Sequence, residues 1–228
     1  MILPESSPMR PFLFALLALA AASAAPAAPQ PASKPAPGMV RVRIVTSEGP
    51  IVLALDARHA PLTTANFLAY VDDGRLDGTT FYRAARSKGA PKFGFIQGGV
   101  GTDVRRFLPP VPLEPTSRTG IRHLDATVSM AHGDNPNSAT ANFTISVGAD
   151  PNLDAKGSRL GYAAFGHVVS GMDIVRKILA APAGGGTGSM RGQMLVHPVR
   201  LISAQRLDGV AKPSGHVKPW LLGRPGGR

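Results

Sequence analysis

The stretch Asp77-Gly78-Thr79-Thr80-Phe81-Tyr82-Arg83 joins a tight turn to a short β-type segment that ends on a basic side chain. The Asp-Gly pair favours a turn, and the Thr, Phe and Tyr residues that follow favour a strand. A second segment of the same kind, Phe95-Ile96-Gln97-Gly98-Gly99, comes after a loop and carries an amide. Neither segment contains Cys or His, so the pair favours chemistry in which no covalent bond is made or broken.

On either side of this stretch, short apolar segments alternate with turns, which is the pattern of antiparallel β-structure. The predicted strands are Val40–Ile44, Ile51–Leu55, Thr79–Arg83, Phe95–Gln97, Thr127–Ala131, Phe143–Val147, Ala164–Val169 and Val199–Gln205. Pro61 can begin a helix that stops before Gly74, and a second helix is predicted over Asp173–Leu179. Many short strands with only two helices predict an all-β barrel or sandwich.

The first residues have the pattern of an export signal. An apolar run, Phe12–Ala22, follows Arg10 and ends in the small-x-small sequence Ala22-Ser23-Ala24. The run is shorter than the about 20 residues that a membrane span needs, so we predict a cleaved signal peptide over residues 1–24. Two points stay open: Met9 is an alternative start to Met1, and the leader could instead be retained as a membrane anchor.

Composition divides the remaining chain into three segments. Residues 25–38 are rich in Pro and Ala, which predicts an extended linker. Residues 39–207 have the length of one domain with a single core. Residues 208–228 are rich in Pro, Gly and basic residues, which predicts a frayed tail.

The charge distribution and the lack of cysteine argue against nucleic-acid binding, thiol catalysis and metal binding. The formal net charge is +11, but the basic residues are scattered rather than clustered in long runs. Scattered charge is typical of a solvated surface, so we expect no specific nucleic-acid partner. The chain has no Cys, which excludes thiol catalysis, and its His residues lack a ligand spacing such as HxxxH. No metal or other cofactor is therefore expected.

Several motifs occur in the order found in a known family. They are Asn66-Phe67, Asp77–Arg83, Ile96–Gly99, Val128–Ala131, Asn137–Phe143, Leu153-Asp154 and Gly161–Gly166. Together they resemble the cyclophilin family of peptidyl-prolyl cis/trans isomerases over about Val40 to Ser203. The resemblance implies a mainly β protein: an eight-stranded antiparallel closed β-barrel capped by two α-helices, with a peptide groove on one outer face.

The same resemblance implies the site residues. Arg83 and Gln97 would be catalytic: Arg83 would donate to the prolyl nitrogen as the amide twists, and Gln97 would hold Arg83 and the substrate backbone. The substrate-binding residues would be Phe95, Ala131, His132, Asn142, Thr144, Leu153 and Tyr162. Plainer alternatives stay open: an ion-pair role for Arg83, a strand-capping role for Gln97, and a core role for Phe95, Leu153 and Tyr162.

The pocket departs from the family pattern at three positions. Gly94 and Thr144 stand where Phe is usual, and Asn152 stands where Trp or Phe is usual. Each lost aromatic wall removes about 1.5–3 kcal/mol of apolar contact if it is fully buried, so a weak or selective isomerase is predicted. A shift of one residue within the 86–95 loop would let Phe93 restore one wall.

The sequence leaves two main functions open. The first is a periplasmic or secreted peptidyl-prolyl isomerase, expected to be a monomer, that acts on proline-containing segments of unfolded or exported proteins. The alternative is a low-activity cyclophilin-like module that binds such segments as a chaperone. Arg83 and Gln97 favour the enzyme, whereas Gly94, Thr144 and Asn152 favour the module. A third candidate, a cationic nucleic-acid or surface binder, would show steep salt dependence.

Overall fold

The computed structural model describes residues 35–222. The predicted signal peptide, both candidate start residues, residues 25–34 of the predicted linker and residues 223–228 of the predicted tail lie outside the described residues. The strands are β1 (Met39–Thr46), β2 (Gly49–Asp56), β3 (Thr80–Ser87), β4 (Ala90–Gly99), β5 (Thr127–Met130), β6 (Phe143–Val147), β7 (Ala163–Ser170), β8 (Ala183–Gly184) and β9 (Met194–Arg206). The helices are α1 (Pro61–Asp72), α2 (Thr116–Thr119) and α3 (Met172–Ala180).

The strands form one closed antiparallel sheet. Their order is β1-β2-β7-β5-β6-β4-β3-β9, and β1 pairs with β9 to close the ring. The two-residue strand β8 pairs only with the start of β9. Closure removes the long unpaired edges that an open sheet would expose. The predicted eight-stranded closed β-barrel is confirmed.

The core forms because apolar residues alternate with polar ones along the strands. Residues Val42, Ile44, Ile51, Leu53 and Leu55 of β1 and β2 are fully buried. Three aromatic rings meet among them: Phe67 lies 5.2 Å from Phe143, edge to face, and 5.4 Å from Phe165. Because Phe67 belongs to α1, these contacts attach that helix to the barrel.

Helix α1 begins where the sequence predicts, with Pro61 in its first turn. The free backbone N–H groups of Leu62 and Thr63 donate to the carboxylate of the buried Glu114, at 3.2 and 2.7 Å. A negative charge at a helix N-terminus is stabilised by the helix dipole. Helix α1 ends just before Gly74, which adopts a positive φ. None of the helices within residues 35–222 is long and apolar enough to span a membrane.

Residues 208–222 pack against the barrel, which differs from the frayed tail expected from their composition. Asp208 pairs with Arg41 of β1 at 2.8 Å. Trp220 is only 6% exposed, and its ring lies against the guanidinium groups of Arg75 and Arg106, at 4.7 and 5.2 Å. The composition of the segment does not predict this packing. The contacts are made by individual polar groups and one ring, and these do not recur at the regular spacing that identifies a helix or strand.

Residues 208–222 also contact a buried ion pair between Arg75 and Asp73. Arg75 is 1% exposed and donates to Asp73 at 2.7 Å, and Ser214 also donates to Asp73 through its backbone N–H and its hydroxyl. Burial alone would raise the pKa of Asp73, but these hydrogen bonds outweigh it and lower the pKa. Residues 208–222 therefore complete the hydrogen bonding of a buried pair that would otherwise be costly.

Candidate active site

One outward-facing row of side chains crosses four neighbouring strands. Arg83 on β3 pairs in register with Gln97 on β4, Gln97 with Thr144 on β6, and Thr144 with Ser129 on β5. Residues adjacent to this row along the strands lie in the core, namely Ala84, Ile96, Phe143, Ile145, Val128 and Met130. Since successive side chains of a strand point to opposite faces, the row faces away from the core. Strand register thus aligns a guanidinium, an amide and two hydroxyls on the outward face of the sheet.

A cavity of about 230 Å³ lies over this row. The predicted site residues that line it are Arg83, Phe95, Gln97, Ala131, His132, Thr144, Leu153 and Tyr162. Four further residues also line it: Ser129 and Met130, which lie in the Val128–Ala131 motif but had no predicted site role, and Ser189 and Met190, which lie outside every motif. Eight of the nine predicted site residues therefore lie around one concavity, which leaves their individual roles as predictions.

Three neutral acceptors hold the Arg83 guanidinium. Its Nε donates to the Gln193 side-chain oxygen and one terminal nitrogen donates to the Gln97 side-chain oxygen, both at 2.8 Å. The second terminal nitrogen contacts the backbone oxygen of Ser189 at 3.4 Å. A guanidinium has five N–H bonds, so these contacts leave one on each terminal nitrogen. The guanidinium carbon lies over the Phe95 ring, 5.1 Å from the ring centroid.

The electrostatics of Arg83 suit a site rather than a surface ion pair. Among residues 35–222 its hydrogen-bond partners are amide oxygens, and no carboxylate pairs with it. Partial burial lowers the pKa of Arg83 from its ordinary value, although a guanidinium stays charged at physiological pH. Gln97 is buried and its oxygen is used by Arg83, so it does more than cap a strand.

Gln193 was missed by the sequence motifs. It lies in the loop between β8 and β9, and its backbone oxygen also accepts from the N–H of Ala84, next to Arg83, at 2.9 Å. This residue is therefore attached to β3 through both its backbone and its side chain. No local pattern indicates such a role, because the partner lies 110 residues earlier in the chain.

The aromatic wall comes from Phe95 and not from Phe93. Phe93 is 42% exposed and packs on Gly148 in a separate surface groove with Lys92. The alternative in which a one-residue shift of the 86–95 loop brings Phe93 into the pocket is not seen. Gly94 adopts φ +136°, and a Cβ there would lie 2.0 Å from the Ala85 oxygen. The backbone thus requires glycine at the position where the family pattern has Phe.

The opposite wall is a pair of stacked rings. The His132 and Tyr162 ring centroids are 4.5 Å apart, and the His132 Nε2 atom lies 3.0 Å from the Gly161 oxygen. The Tyr162 N–H donates to the Leu153 oxygen at 3.0 Å, which fixes Leu153 on the same side. Phe95, Leu153 and Tyr162 are partly exposed, so they are not ordinary core residues. Asn152 is exposed and does not line the cavity.

Asn142 was predicted to bind substrate beside these residues, but it lines a second, adjoining cavity of about 550 Å³. Its side chain accepts from the Gly101 N–H at 2.8 Å and donates to the Gly101 oxygen at 2.9 Å, so it holds the loop after β4. Tyr82 also lines this cavity, and burial raises its pKa to about 12. The phenol is therefore protonated at neutral pH.

A buried hydrogen-bond chain supports the cavity floor. His123 Nδ1 lies 2.7 Å from the Asp154 carboxylate, and Nε2 lies 2.9 Å from the Ser129 hydroxyl. Since a carboxylate only accepts, Nδ1 carries the proton and Nε2 accepts from Ser129. Burial lowers the pKa of His123, with the Asp154 carboxylate opposing the shift. Ser129 is 1% exposed, so we assign the chain to fixing β5 against the 150–154 loop rather than to nucleophilic attack.

The site thus combines one fixed positive charge with amides, hydroxyls and rings. Among residues 35–222, no group of three or more His, Asp and Glu side chains is placed to hold a metal ion. Such a site can stabilise a developing lone pair or negative charge next to a partly apolar cavity.

Known proteins match this chain over the whole barrel. Residues 41–205 match the family described as cyclophilin type peptidyl-prolyl cis-trans isomerase/CLD. A peptidyl-prolyl cis-trans isomerase of Acinetobacter baylyi is 34% identical over 164 residues, which cover 72% of this chain and 84% of the relative. Another, from Streptomyces antibioticus, is 38% identical over 174 residues, which cover 74% of this chain and 99% of the relative.

Solved structures agree on the fold. A crystal structure of a cyclophilin type peptidyl-prolyl cis-trans isomerase of Cryptosporidium parvum covers 75% of this chain and 99% of its own, with a TM-score of 0.57 and 21% identity. The structure determined in the presence of the dipeptide Ala-Pro gives a TM-score of 0.58, covering 74% and 99%. At 21% identity these structures show a shared fold only. Family membership is shown by the match of residues 41–205 to the family model. The chain belongs to the family of cyclophilin-type peptidyl-prolyl cis-trans isomerases.

Proposed function

We propose that the protein catalyses cis-trans isomerisation of X-Pro peptide bonds and that Arg83 stabilises the twisted prolyl amide over the cavity. The observation that carries this proposal is the position of the Arg83 guanidinium at the cavity, with one N–H on each terminal nitrogen that has no acceptor among residues 35–222. Family membership supports the reaction, and the hydrogen bonds of Arg83 support its role.

The chemistry of the reaction explains why such a group would suffice. Amide resonance sets a rotational barrier of about 20 kcal/mol, and no covalent bond changes during rotation. At the midpoint the prolyl nitrogen loses its resonance and gains a localised lone pair. A guanidinium held beside that nitrogen stabilises the twisted form more than the planar forms, and this difference lowers the barrier. Gln97 and Gln193 fix the guanidinium in advance, so little reorganisation accompanies the reaction.

The cavity would hold the proline ring by apolar contact while keeping a polar floor. Phe95 and Leu153 provide apolar surface, whereas Thr144 and Ser129 carry hydroxyls. Thr144 leaves room where the family pattern has Phe, so the proline ring would contact less apolar surface and bind more weakly. We therefore propose an isomerase that is weak, or selective for substrates that gain contacts elsewhere in the groove.

We further propose that the substrates are proline-containing segments of unfolded exported proteins and that the enzyme acts as a monomer in the periplasm or outside the cell. The support is the export-type leader in residues 1–24. Detection of the leaderless chain in a periplasmic fraction would test the location, and recovery of the intact leader in the cytosol would contradict it.

The experiment for the activity compares the isomerisation rate of an Ala-Pro peptide with no protein, wild type, Arg83→Ala and Arg43→Ala. Arg43 is an exposed residue of β1, opposite β6 in the strand order, and serves as the matched control. We expect catalysis by wild type and Arg43→Ala and a loss of about 100-fold or more in Arg83→Ala, as for removal of an electrostatic catalytic group. An uncatalysed rate with wild type would reject the enzyme.

A chaperone-like binding module is the second candidate, favoured by Gly94, Thr144 and Asn152. It predicts binding of proline peptides without acceleration of their isomerisation. Titration of the same peptide, followed by the Phe95 and Tyr162 resonances, separates the two candidates when it is combined with the rate measurement. Binding with the uncatalysed rate would support the module.

A further inference from the structure

A short hairpin loop, residues 154–161, projects from the wall of the first cavity. Its base is closed by Leu153 and Tyr162, which both line the cavity and share a backbone hydrogen bond of 3.0 Å. Gly161 makes this closure possible, because it has φ +65° and a Cβ there would lie 2.4 Å from the Leu153 oxygen. The loop therefore stands beside any peptide whose proline occupies the cavity.

The tip of this loop presents two basic residues as a facing pair. Lys156 and Arg159 exchange backbone hydrogen bonds of 2.9 and 3.1 Å, with Gly157 and Ser158 forming the turn between them. Residues paired in this way place their side chains on the same side of the hairpin. Both side chains are exposed. Two like charges directly opposite each other are unfavourable, and a bound anion would relieve the repulsion.

The carboxylate of Asp154, at the base of the loop, is occupied by other groups. Asp154 accepts from both the backbone N–H and the ring of His123, and Arg122 approaches it only at 3.9 Å. Arg159 reaches the backbone oxygen of Asp154 at 3.4 Å rather than its carboxylate. Across residues 35–222, neither Lys156 nor Arg159 forms an ion pair with an Asp or Glu. Arg122, with a side chain 72% exposed, adds a third positive charge near the base of the loop.

We propose that Lys156 and Arg159 form a subsite for an acidic side chain of the substrate, so that the enzyme prefers proline segments with Asp or Glu close to the proline. This inference rests on the proposed isomerase function and adds a substrate preference to it. The second cavity extends from the first toward Thr80 and Thr102. The acidic residue is therefore expected on the flank of the proline that does not occupy the second cavity.

The place of the pair within the fold favours a peptide over a membrane surface. Lys156 lies three residues after Leu153 and Arg159 three residues before Tyr162, and both Leu153 and Tyr162 line the cavity. A peptide that leaves the cavity on this side would pass near both cations. A lipid surface would instead engage a broad set of cations on one face. Binding to vesicles that contain anionic lipid is therefore the competing outcome of the experiment below.

The test uses the full-length chain and uncharged Ala-Pro peptides into which Glu or Gln is placed at each of the three positions before and after the proline. Exchange NMR measures the catalysed cis-trans rate without an auxiliary protease, and the readout is the ratio of the rates for the Glu and Gln peptides. We expect a ratio of about three to ten on one flank, the size of one or two exposed ion pairs. The ratio should fall toward one in 1 M salt, which shortens the screening length to about 3 Å.

Charge reversal provides the decisive comparison. The double variant Lys156→Glu/Arg159→Glu should invert the preference, so that a Lys peptide is turned over faster than its Glu counterpart. The Arg43→Glu control, across the barrel, should keep the wild-type ratio. A ratio near one at all six positions, or equal changes in the double variant and in Arg43→Glu, would overturn the proposal. So would binding to anionic vesicles that requires Lys156 and Arg159 without any Glu preference.

The experiment distinguishes failure of the proposed isomerase function from failure of the proposed acidic subsite. If wild type does not accelerate even the Gln peptides, the isomerase function fails. The charge preference is then judged from peptide affinity in the same titrations, comparing Glu with Gln. If the Gln peptides are turned over and no preference appears, only the acidic subsite is rejected.

Discussion

At the scale of single residues, the central feature is a guanidinium fixed by two amides. Gln97 accepts from one terminal nitrogen of Arg83 and Gln193 accepts from Nε, while the guanidinium lies over the Phe95 ring. Amide acceptors orient the group without neutralising its charge, whereas a carboxylate would reduce its pull on a lone pair. The family motifs indicated Arg83 and Gln97. They could not indicate Gln193, because a lone glutamine in a glycine-rich loop has no distinctive pattern.

Gln193 is expected to act as a positioning residue. Gln193→Leu removes the acceptor of the Arg83 Nε–H but keeps the backbone bond from Ala84. Since a hydrogen bond to a charged group contributes about 1.5–3 kcal/mol, kcat should fall at least about tenfold with KM little changed. Gln193→Glu keeps an oxygen acceptor and should restore the orientation, but its carboxylate should weaken the action of Arg83 on the lone pair, so its kcat should lie between those of Gln193→Leu and wild type. A parallel loss of thermal stability and activity in both variants would instead indicate a merely structural role.

The buried His123 predicts a pH dependence of stability. Because burial lowers its pKa in the folded state, the unfolded state binds more protons as the pH falls below about 6.5, the ordinary histidine value. Keeping His123 neutral in the fold therefore stabilises the protein fully above pH 6.5, relative to lower pH. This stabilisation is lost as the pH falls from 6.5 toward the lowered pKa of His123 in the folded state. Denaturant unfolding at pH 7.5 and 5.5 should show a smaller pH effect in His123→Asn than in wild type. Equal pH effects would contradict the prediction.

At the scale of elements, the register of strands β3, β4, β6 and β5 aligns the side chains of the site. Residues 208–222 pack against one side of the barrel. The sequence predicted the strands because their apolar alternation is strong, and it placed α1 through Pro61 and Gly74. It left the 86–95 loop undetermined, since either Phe93 or Phe95 satisfied the local pattern. Backbone geometry at Gly94, where only glycine fits against Ala85, decides the choice.

The packing of residues 208–222 predicts that Trp220 contributes to stability. Trp220→Ala removes a ring that covers Arg75 and Arg106, and we expect a loss of about 2–4 kcal/mol in the free energy of unfolding. Leu222→Ala, in the same segment but 88% exposed, should change it by less than about 0.5 kcal/mol. Equal effects of the two substitutions in urea unfolding would show that the segment is only loosely attached.

At the scale of the whole molecule, the residues that stabilise the closed barrel and the residues that form the site lie on opposite faces of the sheet. The core and the strand pairings fill the inside of the ring, and the site uses outward side chains of β3, β4, β5 and β6 with three loops. A sequence can predict the closed sheet and the motif residues because these depend on local patterns. Residues that reach the site from distant loops, such as Ser189, Met190 and Gln193, depend on closure itself and appear only in three dimensions.

Exchange NMR of an Ala-Pro peptide with wild type and Arg83→Ala tests most directly whether Arg83 acts on the twisted amide rather than on binding. This experiment measures peptide affinity and the catalysed cis-trans rate in one sample. We predict that the Arg83→Ala variant binds the peptide within a few-fold of wild type, because the cavity walls remain, while the catalysed exchange falls by about 100-fold or more. Exchange at the wild-type rate in Arg83→Ala, with the peptide bound in the same cavity, would contradict the role assigned to this guanidinium.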